Sequence, residues 1–154
     1  MGYYDEICPG YDALHFEEQA EKARVVRGNC PLRGLLLDVG AGTGSVTRLF
    51  ESCAECVALD PSKGMLANYP GLKVVARAEE LPFKEASFDS VVSLTALHHC
   101  DLEKALGEIR RVSKGGAAIG ISFFRRAKNV ALAERLFSGF RKIVSGQDFV
   151  FVNP

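Results

Sequence analysis

The sequence predicts an α/β fold built on a doubly wound, mostly parallel sheet with helices on both faces, and three observations carry that expectation. Short apolar runs recur along the chain, LLLDVG after Gly34 and FDSVVSL over 88–94 among them. Runs of this length with little polar alternation belong to strands buried on both sides, as in parallel sheets. Segments with apolar residues at helical spacing separate the runs, which calls for right-handed crossovers. A glycine-rich turn, Gly40-Ala41-Gly42-Thr43-Gly44, stands directly after the first run, where a strand of such a sheet hands over to a helix.

The element order follows from the same signals. Residues 16–27, FEEQAEKARVVR, place apolar residues at helical spacing between charges. Pro31 to Gly34 break the chain before the first strand, and helical character resumes over 45–50. CVALD (56–60) reads as the second strand, with a helix starting at Pro61-Ser62 and running through Met65 and Leu66. KVVA (73–76) is the third strand and FDSVVSL (88–94) the fourth. Over 102–112 a helix puts Leu102, Leu106 and Ile109 on one side and charges on the other. Gly115-Gly116 turn into the fifth strand, AAIGISFF (117–124). A last helix is expected over 129–144 and a final short strand over 149–152.

A chain of 154 residues with 47% hydrophobic residues and a mean hydropathy of +0.05 suits one domain, 1–154, with a sizeable core. Within it we expect an N-terminal helical lid region over 1–34, a ligand-binding core over 35–124, and a C-terminal helix and strand over 125–154. Lys+Arg and Asp+Glu both number 19, and this balance argues against nucleic acid as a partner. The opening MGYYDEICPGYD has no basic region followed by an apolar one, and no apolar run reaches the roughly 18 residues of a membrane span, so a cytoplasmic protein is expected. Five cysteines, an odd number, do not suggest a disulfide framework. Cys53 and Cys56 form a lone C-x-x-C with no second pair for zinc, and they read as small apolar side chains at a helix end.

In an open parallel sheet, ligands bind outside the carboxyl ends of the strands where strand order reverses, which makes Gly40 to Gly44 the candidate site. Glycines there let a ligand approach the backbone closely and permit positive φ. Three ligand classes compete for such a turn. A mononucleotide loop needs a lysine after its last glycine, and Gly44 is followed by Ser45-Val46. A dinucleotide fingerprint wants its third small residue at position 45, where the chain has Ser45, which weakens a nicotinamide cofactor without removing it. A phosphate-free nucleoside is the third class. Asp60 ends the second strand about 20 residues beyond the glycines, where a carboxylate accepts hydrogen bonds from ribose hydroxyls. The same Asp60 followed by Pro61 would also make a sound helix N-cap.

Leu36-Leu37-Asp38-Val39-Gly40-Ala41-Gly42-Thr43-Gly44 resembles motif I of the class I S-adenosylmethionine-dependent methyltransferases, in the form found in the small-molecule branch that includes ubiquinone and menaquinone biosynthesis methyltransferases. Ala78-Glu79-Glu80-Leu81-Pro82-Phe83 with Ser87-Phe88-Asp89-Ser90-Val91-Val92, and then Leu97-His98-His99 through Val112, extend the likeness from about residue 35 to 122. The resemblance implies a Rossmann-like fold with S-adenosylmethionine as cofactor and S-adenosylhomocysteine as product. It implies that Gly40, Ala41 and Gly42 line the methionine half while Asp38 positions its ammonium. By the same likeness Asp60 holds the ribose, Pro61 and Met65 flank the adenine, and Ala78, Glu79 and Leu94 complete the cofactor site. Tyr11, with Tyr3 and Tyr4, would contribute to a lid. Arg77 stands where the family usually has an acidic residue, and an arginine cannot accept the adenine amino hydrogen bond, so either Glu79 or a backbone carbonyl substitutes or cofactor affinity is reduced. The family's sheet usually finishes with an antiparallel pair, and with 149–152 alone as a candidate strand this sheet is expected to be shortened at its C-terminal end. The missing cover would then come from a second subunit, making a homodimer, or from a large acceptor.

Methyl transfer from a sulfonium asks the enzyme chiefly for positioning, and for a base near pKa 7 when the acceptor must lose a proton. His98 and His99 follow the fourth strand at the ligand edge and are the candidate catalytic residues, His98 preferred. His15 has no such placement. The expected activity is methyl transfer to a small-molecule acceptor. The alternatives are a non-catalytic S-adenosylmethionine or S-adenosylhomocysteine binding module, and a nicotinamide-dependent oxidoreductase.

Overall fold

A computed structural model describes residues 3–154, with side chains described from residue 15 onward. The expected lid tyrosines Tyr3, Tyr4 and Tyr11 therefore lie outside the described side chains. The elements are α1 (Tyr3–Asn29), β1 (Leu35–Val39), β2 (Glu55–Asp60), α2 (Lys63–Leu66), β3 (Leu72–Val75), β4 (Phe88–Leu94), α3 (Leu102–Val112), β5 (Ser113–Phe124), α4 (Val130–Leu136), β6 (Arg141–Ser145) and β7 (Asp148–Val152). Short 3₁₀ helices occupy Thr47–Phe50 and Leu97–His99. The expected helix over 45–50 is thus the 3₁₀ turn, and the N-terminal helix starts well before residue 16, at Tyr3, and ends at Asn29.

Seven strands form one sheet in the order β3-β2-β1-β4-β5-β7-β6. β1 to β5 pair in parallel, Leu37 lying opposite Val57 on one side and Val91 on the other. Sequence order reverses at β1, flanked by β2 and β4, so the crevice above its carboxyl end is the topological switch point. Side chains alternate across a strand, and β1 shows it directly. Leu36 joins Ala23, Val26, Phe50, Val92 and Val150 in the core beneath α1, while Leu37 and Val39 join Val91, Leu106, Ile109, Ile121 and Phe137 beneath α3 and α4. α1 comes so close to β5 that a Cβ at Gly120 would stand 2.5 Å from Val26 Cγ1.

α3 is helical for reasons already local to the chain. Leu102, Ala105, Leu106, Ile109 and Val112 bury one stripe, and Asp101 caps the N-terminus by accepting a 3.2 Å hydrogen bond from Lys104 N.

The C-terminal end differs from the expectation. The last helix stops at Leu136 and does not reach 144, and residues Arg141–Ser145 form β6, antiparallel to β7, which is itself antiparallel to β5. Ser145 and Asp148 pair across a two-residue turn, Gly146-Gln147, in which Gly146 takes φ +56. A glycine at the first central position suits the turn that matches strand twist, and this short turn signal outweighs the helical spacing of the preceding residues. The sheet is therefore not shortened. β6 and β7 complete it, and Phe137 stacks on Phe151 with ring centroids 4.8 Å apart. Among the described residues no helix is long and apolar enough to cross a membrane.

The hairpin register makes a measurable distinction between two of its side chains. Phe151 is buried in the core and Val144 is 60% exposed. Phe151→Ala should cost about 3–5 kcal/mol in urea unfolding, whereas Val144→Thr should stay within about 0.5 kcal/mol.

Candidate functional site

The turn after β1 is built from backbone rather than side chains. Gly40, Gly42 and Gly44 all take positive φ, at +77, +59 and +78. Gly40 N and Ala41 N donate to Leu59 O at 2.8 and 2.9 Å, which ties the turn to the end of β2. A Cβ at Gly40 would overlap Ala96 Cβ, the residue that follows Thr95 beyond β4. Glycine at position 40 is thus required both by its φ and by the closeness of the neighbouring strand end.

Asp60 joins this turn to α2. Its Oδ2 accepts from Gly42 N and its Oδ1 from Ser62 N, both at 2.9 Å. The N-cap of α2 is Ser62, whose Oγ accepts from Met65 N at 3.1 Å, so the capping role open to Asp60 in the sequence belongs to Ser62 and the helix begins at Lys63, not Pro61. Both carboxylate oxygens of Asp60 are thus oriented by backbone N–H groups at the meeting of the turn and α2.

Two adjoining hollows meet at the glycine turn. The larger, a cavity of about 320 Å³, is walled by Gly40, Gly42, Asp60, Pro61, Met65, Arg77, Ala78, Glu79, Leu94 and His99, with Leu59, Thr95, Ala96, Leu97 and Cys100. The smaller, about 40 Å³, is walled by Asp38, Gly40, Ala41, Gly42 and Leu94 together with His15, Phe16 and Gln19 of α1. The structure thus brings the candidates named from the sequence, among those described, to these two walls, except His98 and Gly44, which are on neither. His15 corrects the expectation in the other direction, because α1 carries it to the smaller hollow. Thr95, Ala96, Phe16 and Gln19 were missed; no local motif marks them, and only the approach of α1 and the end of β4 places them there.

The electrostatics differ from residue to residue. Asp38 is 3% exposed and accepts a 2.7 Å hydrogen bond from Thr47 Oγ1. Burial pushes its carboxyl up to about 7, against the pull of Thr47 and with a further push from the Asp60 charge. Burial also pushes Glu79 upward, but hydrogen bonds from its own N–H, from Asp101 N–H (3.1 Å) and from the Arg77 guanidinium (3.3 Å) outweigh it and hold the carboxyl below its ordinary value. Glu79 is thereby anchored to the start of α3 and paired with Arg77 rather than standing as a solvated loop charge. The Cys100 thiol is pushed up to about 11 by burial, which removes it as a thiolate near neutrality.

The two histidines divide. His99 lines the larger cavity. His98 lies behind it, ring centroids 3.9 Å apart, and its ring also meets Phe123 and Phe124 at 6.1 and 6.2 Å. Its Nδ1 is buried with no hydrogen-bond partner among the described residues, and burial holds its imidazole below the ordinary histidine value.

Comparison with known proteins gives a consistent picture. The family model described as a methyltransferase domain matches residues 37–121. A malonyl-[acyl-carrier protein] O-methyltransferase of Methylococcus capsulatus is 33% identical over 151 residues, covering 87% of this chain and 55% of that protein. A demethylmenaquinone methyltransferase of Corynebacterium glutamicum is 39% identical over 132 residues, 79% of this chain and 57% of that one. The chain spans about half the length of the curated relatives it matches. Among solved structures, a protein of Pyrococcus horikoshii superposes with a TM-score of 0.79 at 20% identity, covering 100% of this chain and 99% of its own. A putative S-adenosyl-L-methionine-dependent methyltransferase of Methanococcus maripaludis superposes with a TM-score of 0.78 at 17% identity over 97% of this chain and 89% of its own. These two speak for the fold. With the family model matching more than half of its residues, the chain belongs to the class I S-adenosylmethionine-dependent methyltransferases.

Proposed function

We propose that this protein binds S-adenosylmethionine and transfers its methyl group to a small-molecule acceptor by in-line displacement. The observation that carries the reading is the Asp60 bridge. A carboxylate held by Gly42 N and Ser62 N fixes the glycine turn beside a cavity walled by Leu59, Pro61, Met65 and Leu97. Such a site suits a ribose flanked by apolar surface for a base, and it lacks the lysine that a triphosphate would require.

S-adenosylmethionine supplies a methyl group already activated by a positive sulfur. The residues of this chain would bind and orient. Asp60 would accept the ribose hydroxyls, Pro61 and Met65 would flank adenine, and Ala78 or Glu79 would accept its amino group. Asp38, Gly40, Ala41 and Gly42 would receive the methionine end, with Asp38 facing the ammonium. The described geometry supports Glu79 in place of the carboxylate that Arg77 replaces, since Glu79 is held by Asp101 N at the cavity wall. For an acceptor that must release a proton, the imidazole pair at 98 and 99 would take it, His99 being the one on the wall. The small-molecule class draws support from the balanced charge of the chain and from relatives named for malonyl-acyl carrier protein and demethylmenaquinone. A cofactor-binding module without turnover is the second reading, and the pairing of Glu79 with Arg77 favours it where it restrains the carboxylate.

Calorimetric titration with S-adenosylhomocysteine and with NAD tests the cofactor. The homocysteine compound should bind; NAD binding in its absence reverses the assignment. Gly42→Val should weaken that binding by about 100-fold or more in a protein that keeps its far-UV spectrum, because the turn loses both its positive φ and its bare surface. Turnover of labelled methyl groups across a panel of small acceptors separates an enzyme from a binding module.

Asp38 gives the site a pH dependence. Its carboxyl, near 7 in the free protein, must ionise to meet an ammonium, so affinity for S-adenosylhomocysteine should rise about ten-fold or more from pH 5.5 to 7.5 and then level off. Asp38→Asn should abolish this slope. In the free protein the sign is opposite. A carboxyl whose folded pKa exceeds its unfolded one takes up protons on folding, so stability falls as pH rises from about 4 to about 7, and Asp38→Asn should flatten that fall in urea-unfolding curves.

A further inference from the structure

Beyond the turn and cavity, the most unusual chemistry in the molecule converges on Thr95, the first residue after β4. Thr95 takes φ +51 and is one of two non-glycine residues with positive φ among those described. A β-branched residue there is a conformational outlier that persists only where its surroundings over-determine it. The surroundings are specific. Thr95 N donates to Ser122 O at 3.1 Å and to Ser122 Oγ at 2.9 Å. Thr95 Oγ1 accepts from Lys22 Nζ at 2.8 Å, and its single proton goes to Asp148 Oδ2 at 2.7 Å in preference to Gln19 Oε1 at 3.4 Å. Lys22 is 1% exposed and Asp148 fully buried; Lys22 Nζ pairs with Asp148 Oδ1 at 3.2 Å, an ion pair without a hydrogen bond, and also with the half-exposed Glu18 at 3.2 Å.

Buried ion pairs are poor sources of stability, because the cost of desolvating two charges cancels most of their attraction. This one brings α1 and β7 together on one hydroxyl. Its placement gives it a different use. Thr95 and Ala96 form part of the wall of the larger cavity, and Ala96 Cβ fills the space that a side chain at Gly40 would need. The end of β4 is therefore the surface against which the glycine turn is seated.

We propose that Thr95 is a positioning residue: the buried Lys22–Asp148 pair clamps its side chain, holds its backbone in the left-handed region, and so sets the β4 lip that seats the glycine turn at the nucleoside cavity. The clamp acts through Thr95 and does not touch the ligand. This inference rests on the cofactor reading above for its ligand, and its test has an arm that does not.

Lys22→Met/Asp148→Leu removes both charges with side chains of similar bulk, and it is compared in the native chain and in a Thr95→Gly background. In the native background, affinity for S-adenosylhomocysteine should fall about ten-fold or more while the protein stays folded. In the Thr95→Gly background the same pair of changes should alter affinity less than about three-fold, since glycine adopts positive φ without being held. Amide exchange at Thr95, measured without ligand, should accelerate about ten-fold or more in the native background. Equal losses of affinity in both backgrounds, or unchanged affinity and exchange in a folded double variant, would overturn the clamp. If the unaltered protein fails to bind S-adenosylhomocysteine, the cofactor reading falls, and the exchange of Thr95 decides the clamp alone: acceleration upholds it and no change overturns it. Should the double variant not fold, Asp148→Asn, which keeps size and one acceptor, takes its place in both backgrounds: loss of affinity confined to the native background upholds the clamp, and equal loss or no loss overturns it.

Discussion

Two hydrogen bonds to one carboxylate hold the rest of this site in place. Asp60 accepts from Gly42 N on one oxygen and Ser62 N on the other, and in doing so it joins the turn after β1 to the start of α2. Both donors lie at ends of elements where backbone N–H groups lack regular partners, so the carboxylate satisfies them while it is itself oriented. Leu59 O completes the link by accepting from Gly40 N and Ala41 N. The cavity walls gather around that junction: the turn, the end of β2 and the α2 start on one side, the end of β4 on the other, and residues 77–79 after β3 beside them.

The sheet explains why the junction sits where it does. Strand order reverses at β1, so crossover connections leave in opposite directions and open a crevice at its carboxyl end. The cores on the two faces have different tasks. α3 and α4 close one face with the larger cluster, including Phe137 stacked on Phe151 of β7. α1 closes the other and brings His15, Phe16 and Gln19 to the smaller hollow, so one helix serves both packing and site.

The charged groups buried near the site fall into two kinds. Asp38 has Thr47 as its hydrogen-bond partner and is raised by burial, which makes it a carboxyl whose ionisation depends on what binds beside it. Lys22 and Asp148 pair with each other, with Thr95 between them, and Lys22 reaches Glu18 as well.

The sequence by itself determined the central strands and the turn. β1, β4 and α3 were legible because their signals are local: an apolar run of strand length, or the stripe of Leu102, Leu106 and Ile109 at helical spacing. Gly40, Gly42 and Gly44 were legible because backbone geometry at a strand end restricts residue type directly, and Asp60 because of its spacing at the end of the next strand. Tertiary structure alone decided β6, whose five residues carry two basic side chains and become a strand only by pairing with β7. It alone placed His15 on a wall and His98 behind His99. It alone assembled the group around Thr95, from residues 73 and 53 positions away in the chain. Periodicity records which face a residue turns toward the core; it carries no record of which distant polar group will meet it there, because that meeting is set by the packing of whole elements.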